Sequence, residues 1–363
     1  TEIRKICFFG GYESGYPRSE VLRKGLEKRG VTVSTCRSSP RRRGMVRAAI
    51  LTLRYLRMRR DFRMIYVPEF RHKDVPLAYV LGRLTGKRVV FDPLVSRYDT
   101  KVMDRGDARE GSYQAWHNRN LDRISLGLPD LVLADTKAHA RYYEMEFKTS
   151  QKKLRVLPVG FDEDLFPGGE DPSRSGEDGR GFRVLFFGNY LPLHGVDVVA
   201  SAAKMLREYD GIDFELIGRG QTFPAVERFV TRERLDNIRL LPRLPLETLA
   251  SSIAGSSVCL GIFGRTAKTG RVVPNKVYQS MAMGKPVITG DTEAVREFFE
   301  DSKNICLVPP DNPEALAEKI HYLYMNREVG RRIGEEGARE VRDRYSSLMI
   351  AGRFLEFCRE ILG

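Results

Sequence analysis

Residues 275–290, NKVYQSMAMGKPVITG, decide the fold. Their first half has the spacing of a short apolar helix that begins after Pro274 and stops at Gly284. Their second half contains the apolar run 287–289, which is typical of a buried strand. A helix followed at once by a buried strand is the repeating unit of a parallel sheet that helices cover on both faces.

The same alternation extends over the whole chain. Apolar strand-like runs occupy residues 3–9, 31–35, 64–67, 88–91, 131–134, 154–157, 182–187, 214–217, 238–241, 258–263, 287–289 and 305–308, with amphipathic stretches between them. Residues 167–181, PGGEDPSRSGEDGRG, interrupt the pattern and predict a linker. The sequence therefore predicts an α/β protein with two doubly wound, Rossmann-like domains, residues 1–166 and 182–345, that face a central cleft.

Composition excludes several classes of protein. Of 363 residues, 42% are hydrophobic and 30% charged, which is globular composition and excludes a disordered or fibrous chain. No run reaches the length of a membrane-spanning helix, and the first residues lack the pattern of a signal peptide. Five cysteines without a CxxC pair argue against a zinc ribbon or a disulfide framework. We expect a cytoplasmic protein.

The net charge of +13 is concentrated in the first half of the chain. Residues 1–165 contain 34 Lys and Arg and 20 Asp and Glu, a net charge of +14, so the remainder carries −1. A basic domain favours a polyanionic partner or a membrane surface, although many cytosolic domains are basic without one.

Glycines directly after strands are the first candidate site residues. Gly10 and Gly11 follow the first strand, where backbone amides without a neighbouring Cβ either approach a ligand or form a plain tight turn. Gly188 and Gly218 occupy the same place after two strands of the second domain.

The segment between residues 248 and 290 contains no Asp or Glu. It contains five basic residues, Arg265, Lys268, Arg271, Lys276 and Lys285. A helix N-terminus inside a basic loop without acids favours binding of a diphosphate. The alternative is that these cations are only solvated.

Four motifs, NKVYQSMAMGKPVIT, FGNYLPLHGVD, LIGRG and LPRLPLETLA, resemble the donor domain of family 4 glycosyltransferases. The resemblance implies a GT-B fold, a retaining hexosyltransferase without a metal or other cofactor, a nucleotide diphosphate sugar as donor, and a final helix near 346–363 that packs back on the first domain. It also implies substrate-binding residues, which are Gly10, Gly11, Gly188, Asn189, His194, Gly218, Arg243, Leu244, Pro274, Asn275, Lys276, Val277 and Gln279.

The sequence departs from the family at four positions of the donor domain. Two glutamates that flank the donor loop in relatives correspond here to Arg271 and Gln279, and Gln279 can still form hydrogen bonds to a diol. The usual Arg and Lys that neutralise the diphosphate correspond to Asn189 and His194. We interpret the change as a relocation of positive charge to Lys268, Arg271 and Lys276, the first two with a catalytic role.

In the first domain, Asp92 ends a strand and is predicted to act in catalysis, near the position where relatives often keep a His. Asp99 and His117 are the next candidates. The predicted mechanism needs no side-chain nucleophile, because fixed cations and amides stabilise the departing nucleotide diphosphate.

Residues 40–68, PRRRGMVRAAILTLRYLRMRRDFRMIYVP, contain nine arginines and one acid. Helical spacing places Val46, Ala49, Ile50, Leu53 and Leu56 or Leu51 on one apolar stripe beside arginines. Such a helix either lies on an anionic membrane through Arg41 to Arg63, on the inner face of the cytoplasmic membrane, or packs on the core with its arginines in solvent.

Three functions fit these observations to different degrees. The sequence favours a glycosyltransferase whose acceptor is a glycan or is lipid-linked. A nucleotide-sugar 2-epimerase on the same scaffold would need carboxylates and histidines that the donor loop lacks. A non-catalytic protein that binds membrane or nucleic acid is the other alternative, but no nucleic-acid module is recognisable, so we expect no nucleic acid partner.

Overall fold

The structure is a computed structural model that describes residues 2–39, 44–168 and 181–363. It divides into two compact units, unit 1 of Thr1–Gly160 with Ser346–Gly363 and unit 2 of Phe161–Tyr345. The division falls at Gly160, ahead of the predicted linker, and residues 169–180 of that linker lie outside the described residues.

Unit 1 contains a parallel sheet of six strands in the order β2-β1-β3-β4-β5-β6. The strands are β1 (Lys5–Gly10), β2 (Thr32–Arg37), β3 (Met64–Val67), β4 (Arg88–Phe91), β5 (Leu131–Ala134) and β6 (Leu154–Val156). The connecting helices are α1 (Pro17–Lys28), α2 (Gly44–Met58), α3 (Val75–Thr85), α4 (Tyr113–Gly127) and α5 (Lys137–Phe147). Strand order reverses at β1, whose Phe8 pairs with Thr35 on one side and Tyr66 on the other.

Unit 2 repeats this architecture with the strand order β12-β11-β10-β7-β8-β9. Its strands are β7 (Phe182–Phe187), β8 (Ile212–Ile217), β9 (Ile238–Leu241), β10 (Val258–Leu260), β11 (Val287–Gly290) and β12 (Cys306–Val308). Its helices are α6 (Val196–Met205), α7 (Phe223–Glu233), α8 (Leu246–Ala254), α9 (Asn275–Ala282), α10 (Glu293–Arg296), α11 (Pro313–Met325) and α12 (Arg327–Tyr345). The two sheets confirm the predicted α/β class of two Rossmann-like halves.

The strand β10 is half as long as predicted. The apolar run 258–263 predicted a single strand, but β10 ends at Leu260. Beyond it, the amide of Phe263 donates to the carbonyl of His194 and that of Gly264 to Leu193. The buried residues Ile262 and Phe263 therefore join two loops at the end of the sheet instead of extending β10.

The last helix, α13 (Ser347–Leu362), belongs to unit 1 and packs against α1. Its apolar face, which includes Ile350, Phe354 and Cys358, covers the side of the sheet that α1 also covers. A Cβ added to Gly25 of α1 would lie 1.9 Å from the carbonyl oxygen of Ser347. The close approach of the two helices therefore depends on glycine at this position.

Among the described helices, none has both the length and the apolar character that crossing a bilayer requires.

The contact between α1 and α13 predicts the effect of Gly25→Ala. The new methyl group overlaps backbone atoms, which cannot rotate away as a side chain can, so the helices must separate. We expect a loss of about 1–3 kcal/mol in the free energy of unfolding, the usual cost of overpacking. Urea unfolding followed by circular dichroism measures it.

Gly127→Ala in α4 is the matched control, because its added methyl group meets no atom within 4 Å. This variant should match the wild type or gain up to about 1 kcal/mol from the helix propensity of alanine. Equal stability of the two variants would contradict the close packing of α1 on α13.

Candidate functional site

The carboxyl ends of β7 and β10 define the candidate site in unit 2. These strands are neighbours, but the chain leaves β7 toward β8 and leaves β10 toward β11, so the loops after them diverge. Ligands of open α/β sheets bind where strand order reverses in this way. The two loops here are residues 188–195 and 261–274.

Two glycines bring the backbone of β7 and β8 together at this edge. Gly188 and Gly218 have φ angles of +145° and +129°, which side chains strongly disfavour. A Cβ on Gly218 would lie 1.9 Å from the carbonyl oxygen of Gly188, and a Cβ on Gly188 would lie 3.0 Å from Lys276 Nζ. Both predicted glycines therefore line a narrow space beside the start of α9.

Helix α9 points its N-terminus at this space. Pro274 is its N-cap residue and no side chain caps it. The amide of Val277 donates to the carbonyl of Pro274, and the Val277 side chain is fully buried. Val277, predicted to bind substrate, thus has both its amide and its side chain engaged inside unit 2. Pro274 and Asn275 are partly exposed at the start of the helix.

Lys276 is the most unusual residue of the site. Its side chain is 5% exposed, and Nζ has no hydrogen-bond partner among the described residues. Nζ lies 3.8 Å from the centroid of the Phe186 ring. Burial lowers the pKa of the Lys276 ammonium well below its usual value. The N-terminus of α9 also disfavours the charged form of Lys276, because a helix N-terminus carries a partial positive charge.

Gln279 lies one turn further along α9 and is also buried. Residues three apart share a helix face, so its amide follows Lys276 on the same side of α9. Gln279 is the residue that the sequence alignment placed opposite the second of the two glutamates expected from the resemblance.

The turn that leads into α9 carries Lys268 and Arg271. Lys268 is buried and precedes a single 3-10 turn, Thr269–Arg271, in which the amide of Arg271 donates to the carbonyl of Lys268. Arg265 instead forms ion pairs with Asp197 and Asp311 at 3.3 Å and 3.2 Å. Three of the five loop cations are therefore close in sequence to the N-terminus of α9.

His194 and Asn189 interact with each other. The ring nitrogen Nδ1 of His194 is hydrogen-bonded to the carbonyl oxygen of Asn189, so this nitrogen carries the proton. The His194 ring packs edge-on against Phe186, the same ring that Lys276 covers. The positions that are cationic in relatives thus adjoin a lysine supplied by α9.

Arg219 was not predicted and belongs to this edge. It follows Gly218, donates hydrogen bonds to the carbonyls of Gly218 and Leu241, and lies 3.8 Å from the ring centroid of Phe223. The motif LIGRG contained the signal, an arginine directly after a strand-ending glycine. The predicted residues Arg243 and Leu244 follow β9 and are exposed and partly exposed.

In unit 1, the amide of Gly11 is already engaged. It donates to Asp74 Oδ2 at 2.8 Å, and Asp74 Oδ1 also pairs with Arg47 of α2 at 2.9 Å. Gly10 adjoins the same carboxylate, since a Cβ there would lie 3.1 Å from Asp74 Oδ2. The glycine turn therefore binds an internal carboxylate, and the ligand-lining role of Gly10 and Gly11 stays a prediction.

Asp92 is 1% exposed, and its Oδ2 accepts hydrogen bonds from Arg18 at 2.8 Å and Tyr66 at 2.9 Å. This carboxylate therefore joins α1 to the ends of β3 and β4, and its catalytic role stays a prediction. Asp99 is fully buried, whereas His117 is exposed on α4 and stacks on Tyr113.

Glu69 adjoins Asp92 and was missed by sequence analysis. It accepts a hydrogen bond from Ser19 at 2.9 Å. Burial, with the neighbouring Asp92 carboxylate, raises the pKa of Glu69 to about 7. Its partners are distant in sequence, so no local pattern could have indicated them.

No group of three or more potential metal ligands of the His, Cys, Asp and Glu types occurs in the described part of the chain.

Parts of the chain are similar to known proteins. Residues 181–326 match the family described as Glycosyl transferases group 1. An uncharacterised glycosyltransferase of Methanocaldococcus jannaschii is 33% identical over 153 residues, 42% of this chain and 41% of that protein. The phosphatidyl-myo-inositol mannosyltransferase of Mycobacterium leprae is 26% identical over 74% of this chain and 67% of its own length. The chain thus spans about two fifths of the archaeal relative.

Solved structures share the fold. Anabaena HepE in complex with UDP-glucose superposes with a TM-score of 0.73 at 15% identity, over 98% of this chain and 99% of HepE. Sucrose-phosphate synthase of Thermosynechococcus elongatus gives a TM-score of 0.74 at 16% identity and 99% coverage of both chains. These structures show that the fold is GT-B.

The buried ammonium predicts how stability depends on pH. Between the lowered pKa of Lys276 and its unfolded value of 10.5, the unfolded chain binds more protons than the folded chain, so stability rises with pH. Lys276→Met removes this dependence. Its stability advantage over the wild type should shrink, by up to about 1.4 kcal/mol per pH unit, as pH rises toward that unfolded value.

Denaturant unfolding at several pH values without nucleotide measures this difference. Lys152→Met, at an exposed position of unit 1, is the control and should track the wild type at each pH. A difference between Lys276→Met and wild type that does not vary with pH would show that the ammonium is solvated.

Proposed function

Because residues 181–326 match a glycosyltransferase family and the fold is GT-B, we propose that the chain is a family 4-like glycosyltransferase that transfers a sugar from a nucleotide diphosphate sugar to an acceptor hydroxyl. The observation that carries the proposal is Lys276, a buried ammonium with no hydrogen-bond partner among the described residues, at the start of α9. A bound diphosphate supplies the negative charge that this position lacks.

The surrounding groups favour the same ligand. The diphosphate lies beside Gly188, where the missing Cβ leaves room next to Lys276 Nζ, and at the uncapped N-terminus of α9. Lys268 and Arg271 add positive charge from the preceding turn. The charge that relatives place after the first strand of this domain is thus supplied here from the α9 side.

The proposed reaction follows from where charge develops. The bond between the anomeric carbon and the β-phosphate oxygen breaks, and the nucleotide diphosphate leaves with the electron pair. The acceptor oxygen forms its bond to the anomeric carbon on the same face of the sugar, and its proton passes to the departing phosphate. Lys276 and the α9 amides stabilise the negative charge on the leaving group, and no side-chain nucleophile is required.

The names of similar proteins support the substrate classes. HepE was solved with UDP-glucose, and the mycobacterial relative is named for mannosyl transfer to a phosphatidylinositol. We propose a hexose donor and an acceptor that is a glycan or is lipid-linked, at the inner face of the cytoplasmic membrane.

Lys276→Ala tests the site. Loss of one charge-assisted interaction with the diphosphate should weaken nucleoside diphosphate binding by about 1–3 kcal/mol in titration calorimetry. Lys285→Ala is the matched control, because Lys285 lies beyond the C-terminal end of α9 and should leave affinity unchanged. Wild-type affinity in Lys276→Ala would remove this lysine from the nucleotide site.

The stereochemistry and metal requirement are a separate test. We propose that transfer retains the anomeric configuration and needs no divalent cation, since the leaving phosphate is stabilised by lysines, arginine and amides. Proton NMR of the first product should show the donor's configuration, and activity should persist in excess EDTA. An inverted product, or activity that EDTA abolishes and manganese restores, would contradict the proposal.

A further inference from the structure

Helix α2 of unit 1 presents an apolar row to solvent. Met45, Val46, Leu53 and Leu56 are 89%, 61%, 58% and 42% exposed. Val46, Leu53 and Leu56, with the exposed Ala49, recur at intervals of three and four residues, so they form one continuous stripe along the helix. We call these five residues the α2 row.

The row is not the face that packs on the sheet. The side chains of α2 that are buried in unit 1 are Leu51 and Tyr55, and both belong to its core. Of the predicted stripe, only Leu51 is fully buried. Helix α2 therefore does pack on the core with exposed arginines, as one of the two interpretations predicted, but most of the predicted apolar stripe lies outside that contact.

Positive charge borders the row. Residues 44–58 contain no acidic residue. Arg54 and Arg57 are exposed next to Leu53 and Leu56, and neither forms an ion pair within the described part of the chain. Arg47, by contrast, is mostly buried and pairs with Asp74. The predicted arginines 41–43 lie outside the described residues.

Helix α3 also exposes apolar side chains. The Tyr55 hydroxyl of α2 is hydrogen-bonded to Thr85, which ties α2 to the C-terminal end of α3. Leu84, the residue before Thr85, is 78% exposed, and Val80, one turn earlier, is 51% exposed. Unit 1 therefore exposes apolar side chains on a second helix besides α2.

We propose that the α2 row docks on an anionic lipid bilayer. Apolar side chains enter the boundary between headgroups and acyl chains while Arg54 and Arg57 contact lipid phosphates. A second copy of this chain would place the same arginines against each other. Nucleic acid would place phosphates against the apolar row, so charge complementarity favours the bilayer over either.

Docking of α2 on a bilayer rests on the proposed function, because it is useful to an enzyme whose acceptor is carried on a lipid. Through Arg47 and Asp74, α2 is joined to Gly11 at the carboxyl edge of the unit 1 sheet. A bilayer bound by α2 therefore lies near the edge at which doubly wound domains bind ligands, which suits an acceptor carried on a lipid.

Flotation with vesicles tests the docking. Wild-type protein should float with vesicles of phosphatidylcholine and phosphatidylglycerol, but not with phosphatidylcholine alone, and high salt should weaken binding. Leu53→Gln with Leu56→Gln should lower the partition coefficient about tenfold or more, and Arg57→Gln several-fold. Met325→Gln and Arg228→Gln, at exposed positions of unit 2, are the matched controls and should float like the wild type.

Three outcomes overturn the proposal. The wild type fails to float at low salt, the α2 variants float like the controls, or sedimentation shows self-association that Leu53→Gln with Leu56→Gln removes. Thermal unfolding should match the wild type in every variant, since the substituted side chains are exposed. Nucleotide affinity, measured in parallel, is independent of α2, so a failure of docking leaves the Lys276 site intact and is distinguishable from failure of the proposed function.

Discussion

An ammonium group with neither solvent nor a counter-charge destabilises a folded protein, and unit 2 retains one at the point where its strand order reverses. Lys276 lies over an aromatic ring, at the positive end of a helix and beside a glycine that leaves space for a ligand. Each of these neighbours is neutral or positive. In the proposed function, a bound diphosphate offsets this cost. Lys276 would then lower the folding stability of the unliganded protein and raise its affinity for the nucleotide.

Each unit has a parallel sheet of six strands, but the strand orders differ and the carboxyl edges have opposite chemistry. In unit 2, the donor loop and α9 contain no acid. In unit 1, the corresponding edge contains the buried carboxyl groups of Glu69, Asp74 and Asp92. Asp74 and Asp92 are hydrogen-bonded or paired with the amide of Gly11 and with arginines, whereas, among the described residues, Glu69 accepts from Ser19 through Oε1 only. The edge of unit 2 is thus basic, as the proposed diphosphate would require, whereas the edge of unit 1 contains carboxyl groups that are bonded mainly within the unit. The excess positive charge of unit 1 lies elsewhere, on surfaces such as α2.

Sequence periodicity predicted all twelve described strands, five of them with their observed bounds. A buried strand can be predicted from a few consecutive residues, because a short apolar run indicates that the segment is buried. Site contacts are not local. Arg18 meets Asp92 across 74 residues, and Asp74 reaches Gly11 across 63, so no spacing rule indicates them.

The orientation of α2 was ambiguous for a related reason. Periodicity shows that a helix has an apolar stripe, but not whether the fold covers it. Only packing shows that Leu51 and Tyr55 fill the contact with the sheet and leave the α2 row outside. The glycines at Gly188 and Gly218 were predictable because their place after a strand is visible in the sequence, whereas Arg219 gained its meaning only from the carbonyls it binds.

The return of α13 to α1 has a consequence for biosynthesis. Unit 1 is discontinuous, and its α1 side stays uncovered until the residues of α13 have been made, after all of unit 2. At ribosomal speeds of about 5–20 residues per second, that delay is on the order of ten to forty seconds. Throughout this delay, Leu22, Leu26 and their neighbours are accessible to chaperones, while unit 2 can fold first.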